Sequence, residues 1–178
     1  MYLTELLEVE QQKALHKDIV MKLSYRPNLK YLYYDDLKPS DTLKTLLPQK
    51  NSGVLILFVM HGTKSQVGHF CLLFRNEKSG LHFFDSYGMG LRKVIQVTHS
   101  AKRLEKLISG HDIHINKHRF QVMEKGQRAV NTCGRHCITR YNAAQLKPKE
   151  YENLMYHPSL DPDEIVTLMT MEMDLTQI

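Results

Sequence analysis

The chain has 178 residues, of which 42% are hydrophobic and 24% are charged, and its formal net charge is +5. This length is enough for one domain with a hydrophobic core, and no apolar run approaches the roughly 20 residues that a membrane span needs. We therefore expect a globular protein without a membrane anchor. Because basic and acidic residues are interspersed, the charge favours a solvated surface over a nucleic-acid site.

The cysteine content indicates the compartment. Three cysteines cannot all pair within one chain. The N-terminus also lacks the basic start and apolar stretch of a signal peptide. We expect free thiols, a reducing intracellular environment and no secretion.

The first 50 residues predict mainly helical structure. Residues 4–23 predict one helix with Thr4 as its N-cap and with Leu15, Ile19 and Leu23 on one face. Two shorter elements follow. Residues 31–37 are compatible with a short strand or a loop, and residues 39–48 predict a short helix that stops at Pro48.

A sheet is predicted from residue 53 onward. Residues 53–60, 69–75 and 81–85 have the length and composition of strands, and residues 76–80 predict a turn. Apolar residues occupy both alternating sets of positions, which is typical of a sheet covered on both faces.

The remaining pattern completes an α+β fold. A helix is predicted over residues 99–109, a strand over residues 111–115, and a helix from about Cys133 to a point before Pro148. The last helix has Asp161 as its N-cap and Glu164 three residues later. We expect a central mixed or antiparallel sheet of about four to five strands flanked by helices.

The hairpin of the second and third predicted strands aligns a histidine with an aspartate. A turn centred on Glu77 places His69 directly opposite Asp85, on the same sheet face. Such an aspartate can orient the imidazole and fix its tautomer. The residues alone slightly favour a structural interpretation, in which the histidine ends a strand and the aspartate starts a turn.

The stretch "NTCGRHC", residues 131–137, has three interpretations. Cys133, His136 and Cys137 could bind zinc, although no fourth ligand is evident. Buried structural thiols are the second interpretation, and it is favoured for Cys137 and for Cys71. In the third, Cys133 is a nucleophile at a helix start, where the helix dipole and a nearby imidazole stabilise its thiolate.

A nucleophilic cysteine also needs donors for the oxyanion and room for the substrate. The backbone N–H of Cys133 is one candidate donor, and the side-chain amide of Gln127 is another. Gln121 is a second candidate glutamine. Gly134 would let a substrate backbone approach closely.

The ordered set His69, Asp85, Gln127 and Cys133 resembles the cysteine proteases that include the adenovirus maturation protease, adenain, and the SUMO-specific proteases. The resemblance lies in "GHF" at 68–70, "FFDSYG" at 83–88, and "NTCGRHC". It covers residues 53–145. The last two motifs are most similar to proteases of large DNA viruses, virophages and Polinton-type elements. The family usually has Trp after the histidine, and this chain has Phe70 there.

The resemblance implies a papain-like arrangement with circularly reordered elements. His69 would be the general base, Asp85 its orienting partner, Cys133 the nucleophile and Gln127 an oxyanion donor, with no cofactor and no metal. Substrate would contact Gly68, Phe70 and Gly134. The expected organisation is one protease domain over 1–178, with an accessory part at 1–50, a catalytic core at 53–145 and C-terminal helices at 148–178.

The implied function is maturation cleavage of capsid or other virion precursor proteins, often after small residues such as glycine. The expected location is the virion and the cytoplasm of an infected cell, and DNA or a short peptide could act as a weak activator. Two alternatives stay open: an isopeptidase that removes ubiquitin or SUMO, and a non-catalytic or zinc-binding interaction module.

Overall fold

The computed structural model describes residues 3–59, 68–126 and 128–175. The protein is an α+β structure with a five-stranded mixed sheet flanked by helices, as the sequence predicts. The strands of this sheet are β1 Leu29–Tyr33, β2 Gly53–Val59, β3 Gly68–Asn76, β4 Gly80–Asp85 and β5 Ile113–Ile115. A separate short hairpin consists of β6 Glu124–Lys125 and β7 Arg128–Ala129. The helices are α1 Leu3–Gln12, α2 Lys17–Lys22, α3 Leu43–Leu46, α4 Leu91–Val97, α5 Arg103–Ile108, α6 Cys133–Asn142, α7 Pro148–Leu154 and α8 Pro162–Leu175.

The strands lie in the order β1-β2-β3-β4-β5. The central three are antiparallel to their neighbours in the chain, whereas the outer strands β1 and β5 run parallel to β2 and β4. Apolar residues cover both faces of the sheet. Helices α3, α4 and α5 pack on one face, and helices α2, α6, α7 and α8 contribute to the cluster on the other.

The register of the β3–β4 hairpin differs from the prediction by two residues. Cys71, and not His69, is the direct partner of Asp85, and the loop closes with Asn76 opposite Gly80. The Asn76 side chain sets this register because its Oδ1 accepts the backbone N–H groups that follow it in the turn. A shift of two residues keeps every side chain on its face, so His69 still shares a face with Asp85.

The predicted single helix over residues 4–23 is wrong, because the chain forms two helices there. In a continuous helix the carbonyl groups of Gln11 and Gln12 would accept hydrogen bonds from residues 15 and 16. Asn131 occupies both carbonyl groups instead: its backbone N–H donates to Gln11 and its Nδ2 to Gln12, each at 2.7 Å. Of the predicted apolar face, Leu15 and Leu23 do pack on the core, but Ile19 is exposed and Val20 is buried in its place.

Other predicted elements agree to different degrees. Residues 31–37 contain both the end of β1 and a short 3-10 turn, and the short predicted helix before Pro48 is α3, capped by Thr42. The helix predicted over 99–109 begins only at Arg103, and α4 was not predicted. The capping box of α8 is present, because Asp161 and Glu164 exchange backbone-to-side-chain hydrogen bonds.

The turn after β4 requires a glycine for two reasons. Gly88 has a φ of 66°, in the left-handed region that favours glycine. A Cβ atom at Gly88 would also lie only 2.7 Å from the carbonyl oxygen of His118. Gly110 has a similar φ of 79°, but a Cβ atom there would meet no atom within 4 Å. A side chain at Gly110 would therefore add backbone strain alone, whereas a side chain at Gly88 would add both backbone strain and steric crowding.

We predict that Gly88→Ala destabilises the protein more than Gly110→Ala. Gly110→Ala should lower the free energy of unfolding by about 1–2 kcal/mol, which is the cost of a Cβ in the left-handed conformation. Gly88→Ala should cost about 1–3 kcal/mol more, because the 117–118 backbone must also move. Urea unfolding of the two variants measures the difference, and equal losses would contradict the crowding at Gly88.

Candidate active site

The hairpin brings His69, at the start of β3, into contact with Asp85, at the end of β4. His69 Nε2 lies 2.7 Å from Asp85 Oδ1, and both residues are buried. The contact runs diagonally across the strand pair, since the direct partner of Asp85 is Cys71. The two side chains that the sequence selected are therefore paired, through a register that the sequence analysis did not foresee.

The turn "DSYG" holds this pair in place. Both carboxylate oxygens of Asp85 accept backbone hydrogen bonds, from Tyr87 N–H at 3.0 Å and from Met89 N–H at 2.8 Å. The Tyr87 ring packs on the His69 ring with a centroid distance of 4.8 Å. Asn116 fixes the Asp85 backbone through two further hydrogen bonds. Asp85 is thus oriented from several sides, and the imidazole has one preferred position.

Cys133 is the first residue of α6 and is partly exposed. Burial raises the pKa of its thiol, but the hydrogen bond and positive charge of His69 lower that pKa. The backbone N–H groups of Phe70 and Gly134 lower it as well, and the net pKa is below the usual value. This balance favours a thiolate at the helix N-terminus, where the helix dipole adds to the stabilisation.

The His69 ring is the matching cation. Burial lowers the pKa of His69, whereas the Cys71 sulfur, the Asp85 carboxylate and the Cys133 sulfur raise it. The net pKa lies well above the usual value. Because Nε2 is bonded to Asp85, Nδ1 is the nitrogen left to interact with the thiols. A depressed thiol pKa beside a raised imidazole pKa is the pattern of a thiolate–imidazolium pair.

A cleft of about 400 Å³ opens beside Cys133. Gly68, Phe70 and Gly134 line it, so the three residues expected to contact substrate lie on one surface. The cleft is also lined by aromatic, aliphatic and basic side chains from the N-terminal half of the chain: Leu15, Lys17, Tyr31, Tyr33 and Leu57.

The residue after the histidine, which is usually Trp in the proteases that the motifs resemble, has a packing role here. Phe70 is buried, and a Cβ atom at Gly134 would lie 3.3 Å from its ring and 3.3 Å from Val20. The glycine therefore allows close packing of Phe70 and α2 against the start of α6. The lack of an indole N–H removes a possible donor but keeps an aromatic ring at this place.

Of the two candidate oxyanion glutamines, Gln127 lies outside the described residues, so its role stays a prediction. Gln121 is fully buried and its amide is engaged at both ends. Its Oε1 accepts a hydrogen bond from Ser86 at 2.7 Å, and its Nε2 donates to the Val130 carbonyl at 3.0 Å. Gln121 therefore ties the "DSYG" turn to the loop before Cys133, which leaves little freedom for oxyanion binding.

The residues of the zinc interpretation do not converge. His136 is fully buried, and its Nε2 lies 3.0 Å from Asp163 Oδ1. Cys137 points into the core, and its thiol contacts the Phe70 carbonyl. Among the residues that the structure describes, the one group able to hold a metal is His69, Cys71 and Asp85. The sequence analysis treated Cys71 as structural, although its i, i+2 spacing from His69 puts both on one face of β3.

Asp163 is a second buried carboxylate that the sequence analysis missed. Its oxygens contact the Thr132 hydroxyl, His136 Nε2 and the Val122 backbone N–H. Thr132 directly precedes the nucleophile candidate, so α8 fixes the start of α6 through this carboxylate. The only sequence signal was its place in the first turn of a well-capped helix.

Comparison with other proteins gives one informative similarity. No family model matches the chain. The chain is similar to the uncharacterized protein V9 of the Sputnik virophage, with 25% identity over 182 residues that cover 94% of this chain and 99% of V9. An association with virophages, which the motifs predicted, is thus supported.

Part of the positive charge is used within the fold. Arg92 pairs with Glu105, Arg103 donates to the carbonyl groups of Asp35 and Leu37, and Arg119 donates to a backbone carbonyl. No helix in the described ranges is long and apolar enough to cross a membrane.

We predict that a thiol-directed alkylating reagent modifies Cys133 before the other cysteines at pH 7. Burial raises the pKa of Cys71 to about 11, burial also raises that of Cys137, and only Cys133 has a lowered pKa. The alkylation rate should rise with pH through the Cys133 pKa, below the usual thiol value. His69→Ala should raise the Cys133 pKa, and labelling at pH 7 should slow because less of the thiol is ionised.

Peptide mapping by mass spectrometry identifies the modified cysteine. Cys137→Ala is the matched control, since it removes a buried thiol one helical turn away and should leave the labelling rate unchanged. Equal labelling of Cys133 in native protein and in the His69→Ala variant would contradict an interaction between the two side chains.

Proposed function

We propose that this chain is a cysteine endopeptidase with Cys133 as nucleophile and His69 as its general base and acid. One observation carries the proposal: a buried imidazole, oriented by Asp85, interacts with a thiol of lowered pKa at a helix N-terminus beside an open cleft. These are the parts that thiol-dependent acyl transfer needs, and each has the required partner.

The reaction follows from these contacts. The Cys133 thiolate attacks the peptide carbonyl carbon, a C–S bond forms, and the backbone N–H of Cys133 is available to stabilise the oxyanion. The C–N bond then breaks as the His69 imidazolium donates its proton to the leaving amine. Water attacks the thioester, His69 accepts the water proton, and the acid product and thiolate are released. Asp85 keeps the ring oriented through both halves.

The proposed substrates are capsid or other virion precursor proteins of a virophage, cleaved in the infected cell or in the assembling virion. The similarity to a virophage protein supports this choice. Preference for glycine or another small residue before the cut rests on the family resemblance alone. A weak DNA or peptide activator remains part of the proposal, and stimulation by DNA should fall steeply with added salt.

We predict that the purified protein cleaves virophage virion precursors and that Cys133→Ala abolishes this cleavage while preserving the fold. Cys137→Ala is the matched control, because it removes another thiol from α6 and should keep the activity. His69→Ala should lower kcat by about 10²–10⁴, the usual contribution of a general acid–base. Gel analysis and mass spectrometry of the new termini report cleavage.

Two results would overturn the proposal. Full cleavage by Cys133→Ala would exclude the thiol mechanism. Reaction with a ubiquitin-like probe, with no cleavage of any virion protein, would favour the isopeptidase alternative with the same Cys133–His69 chemistry.

We predict that Gln127→Ala lowers kcat by about 10²–10³ and leaves stability unchanged, as expected for loss of an oxyanion donor. Gln121→Ala should instead lower stability without a specific loss of kcat. It removes two buried hydrogen bonds, so it should lower the free energy of unfolding by roughly 1–3 kcal/mol. Kinetics and urea unfolding of both variants separate the two roles. A loss of kcat confined to folded Gln121→Ala would transfer the oxyanion role to Gln121.

A further inference from the structure

One thiol beside the candidate site has no role in the proposed reaction. Cys71 follows His69 by two residues on β3, is fully buried, and stands directly opposite Asp85 on β4. Its sulfur also interacts with the His69 ring. A buried cysteine next to a histidine and an aspartate adds a donor type that hydrolysis does not need.

The three side chains together offer a set of metal donors. One ligand atom from each of His69, Cys71 and Asp85 lies within 4.8 Å of the other two. Imidazole nitrogen, thiolate sulfur and carboxylate oxygen are the three protein ligands of zinc. His69 Nε2 already lies 2.7 Å from Asp85 Oδ1, so two of the three donors are in direct contact.

We propose that His69, Cys71 and Asp85 form a binding site for a thiolate-binding divalent cation, Zn²⁺ above all, and that the bound ion blocks hydrolysis. The binding half concerns these three residues alone. The inhibition half rests on the proposed protease function, because it assumes that His69 must exchange protons with the substrate.

The site is close to the size that zinc requires. Zinc bonds of about 2.0–2.3 Å place tetrahedral ligand atoms roughly 3.3–3.8 Å apart, so small side-chain rotations would bring the three donors into range. On binding, the metal displaces two protons to solvent, the thiol proton of Cys71 and the proton that His69 Nε2 shares with Asp85. The His69–Asp85 hydrogen bond is then replaced by one metal bond to Nε2 and one to the Asp85 carboxylate, and the remaining ring proton stays on Nδ1. Water or the Cys133 thiolate supplies the fourth ligand.

The surroundings of Asp85 would support a metal as well as a histidine. The N–H groups of Tyr87 and Met89 already donate to its carboxylate, and such outer contacts orient ligands in metal sites. Coordination at His69 Nε2 keeps the remaining ring proton on Nδ1, the nitrogen left to interact with the thiols, so the ring can no longer accept a proton there. The same three side chains thus allow two exclusive states, one able to transfer protons and one metal-bound.

Cobalt(II) tests the binding directly, because a bound thiolate gives a sulfur-to-cobalt charge-transfer band. The chain contains three cysteines. The variant Cys133→Ala/Cys137→Ala therefore keeps Cys71 as its only thiol, and we expect this band to saturate at one cobalt per chain. The matched control, Cys71→Ala/Cys133→Ala, keeps Cys137 alone and should give no band. Circular dichroism checks that each variant is folded.

Absence of the band in folded Cys133→Ala/Cys137→Ala overturns the proposal. Should that variant not fold, calorimetric Zn²⁺ titration of Cys133→Ala and Cys133→Ala/His69→Ala gives the same decision. Loss of His69 should weaken binding by at least about tenfold, because loss of even an outer contact to a metal ligand has an effect of that size. Equal affinity would rule out the site.

Inhibition is measured separately on the enzyme with its own thiols. Zn²⁺ should inhibit cleavage at the concentration at which it binds, and Cys71→Ala should raise that concentration at least about tenfold, each relative to its own metal-free rate. Inhibition that is the same with and without Cys71 would overturn the inhibition half. If no substrate is cleaved at all, the protease proposal fails while the cobalt result still decides the metal site.

Discussion

The buried carboxylate of Asp85 is the constraint on which the candidate site depends. It is fully removed from solvent, and it is tolerable there because the N–H groups of Tyr87 and Met89 and the His69 ring all donate to it. The same contacts fix the turn that follows β4. Orientation of the imidazole and closure of the turn are thus one interaction network, and neither can be changed alone.

A second buried carboxylate, that of Asp163, positions the start of the helix that carries the Cys133 thiol. Asp163, from the first turn of α8, contacts Thr132, His136 and the backbone of Val122. It therefore joins the C-terminal helix to the start of α6 and to the loop that precedes it. The imidazole is oriented from the sheet and the thiol from the helical layer. The site lies where these two separately stabilised parts meet.

The sequence predicted those features of the site that depend on local pattern and chain order. The strand around His69, the acidic turn at Asp85 and the helix beginning at Cys133 each have a local signature, and the fold class follows from their succession. The register was wrong by two residues because the Asn76 side chain, not the centre of the loop, closes the turn. The error still left His69 and Asp85 on the same face of the sheet, because side chains along a strand alternate with a period of two.

What the sequence could not predict are contacts between residues far apart in the chain. The N-terminal helix divides because Asn131, about 120 positions later, takes the carbonyl groups that its next turn would need. The helix propensity of the N-terminal residues does not reflect this competition for their carbonyl groups. The break has a consequence for the site: the segment after α1 leaves the helix and contributes Leu15 to the cleft wall. Asn131 lies two residues before Cys133, so one residue couples the loop before Cys133 to the shape of the cleft.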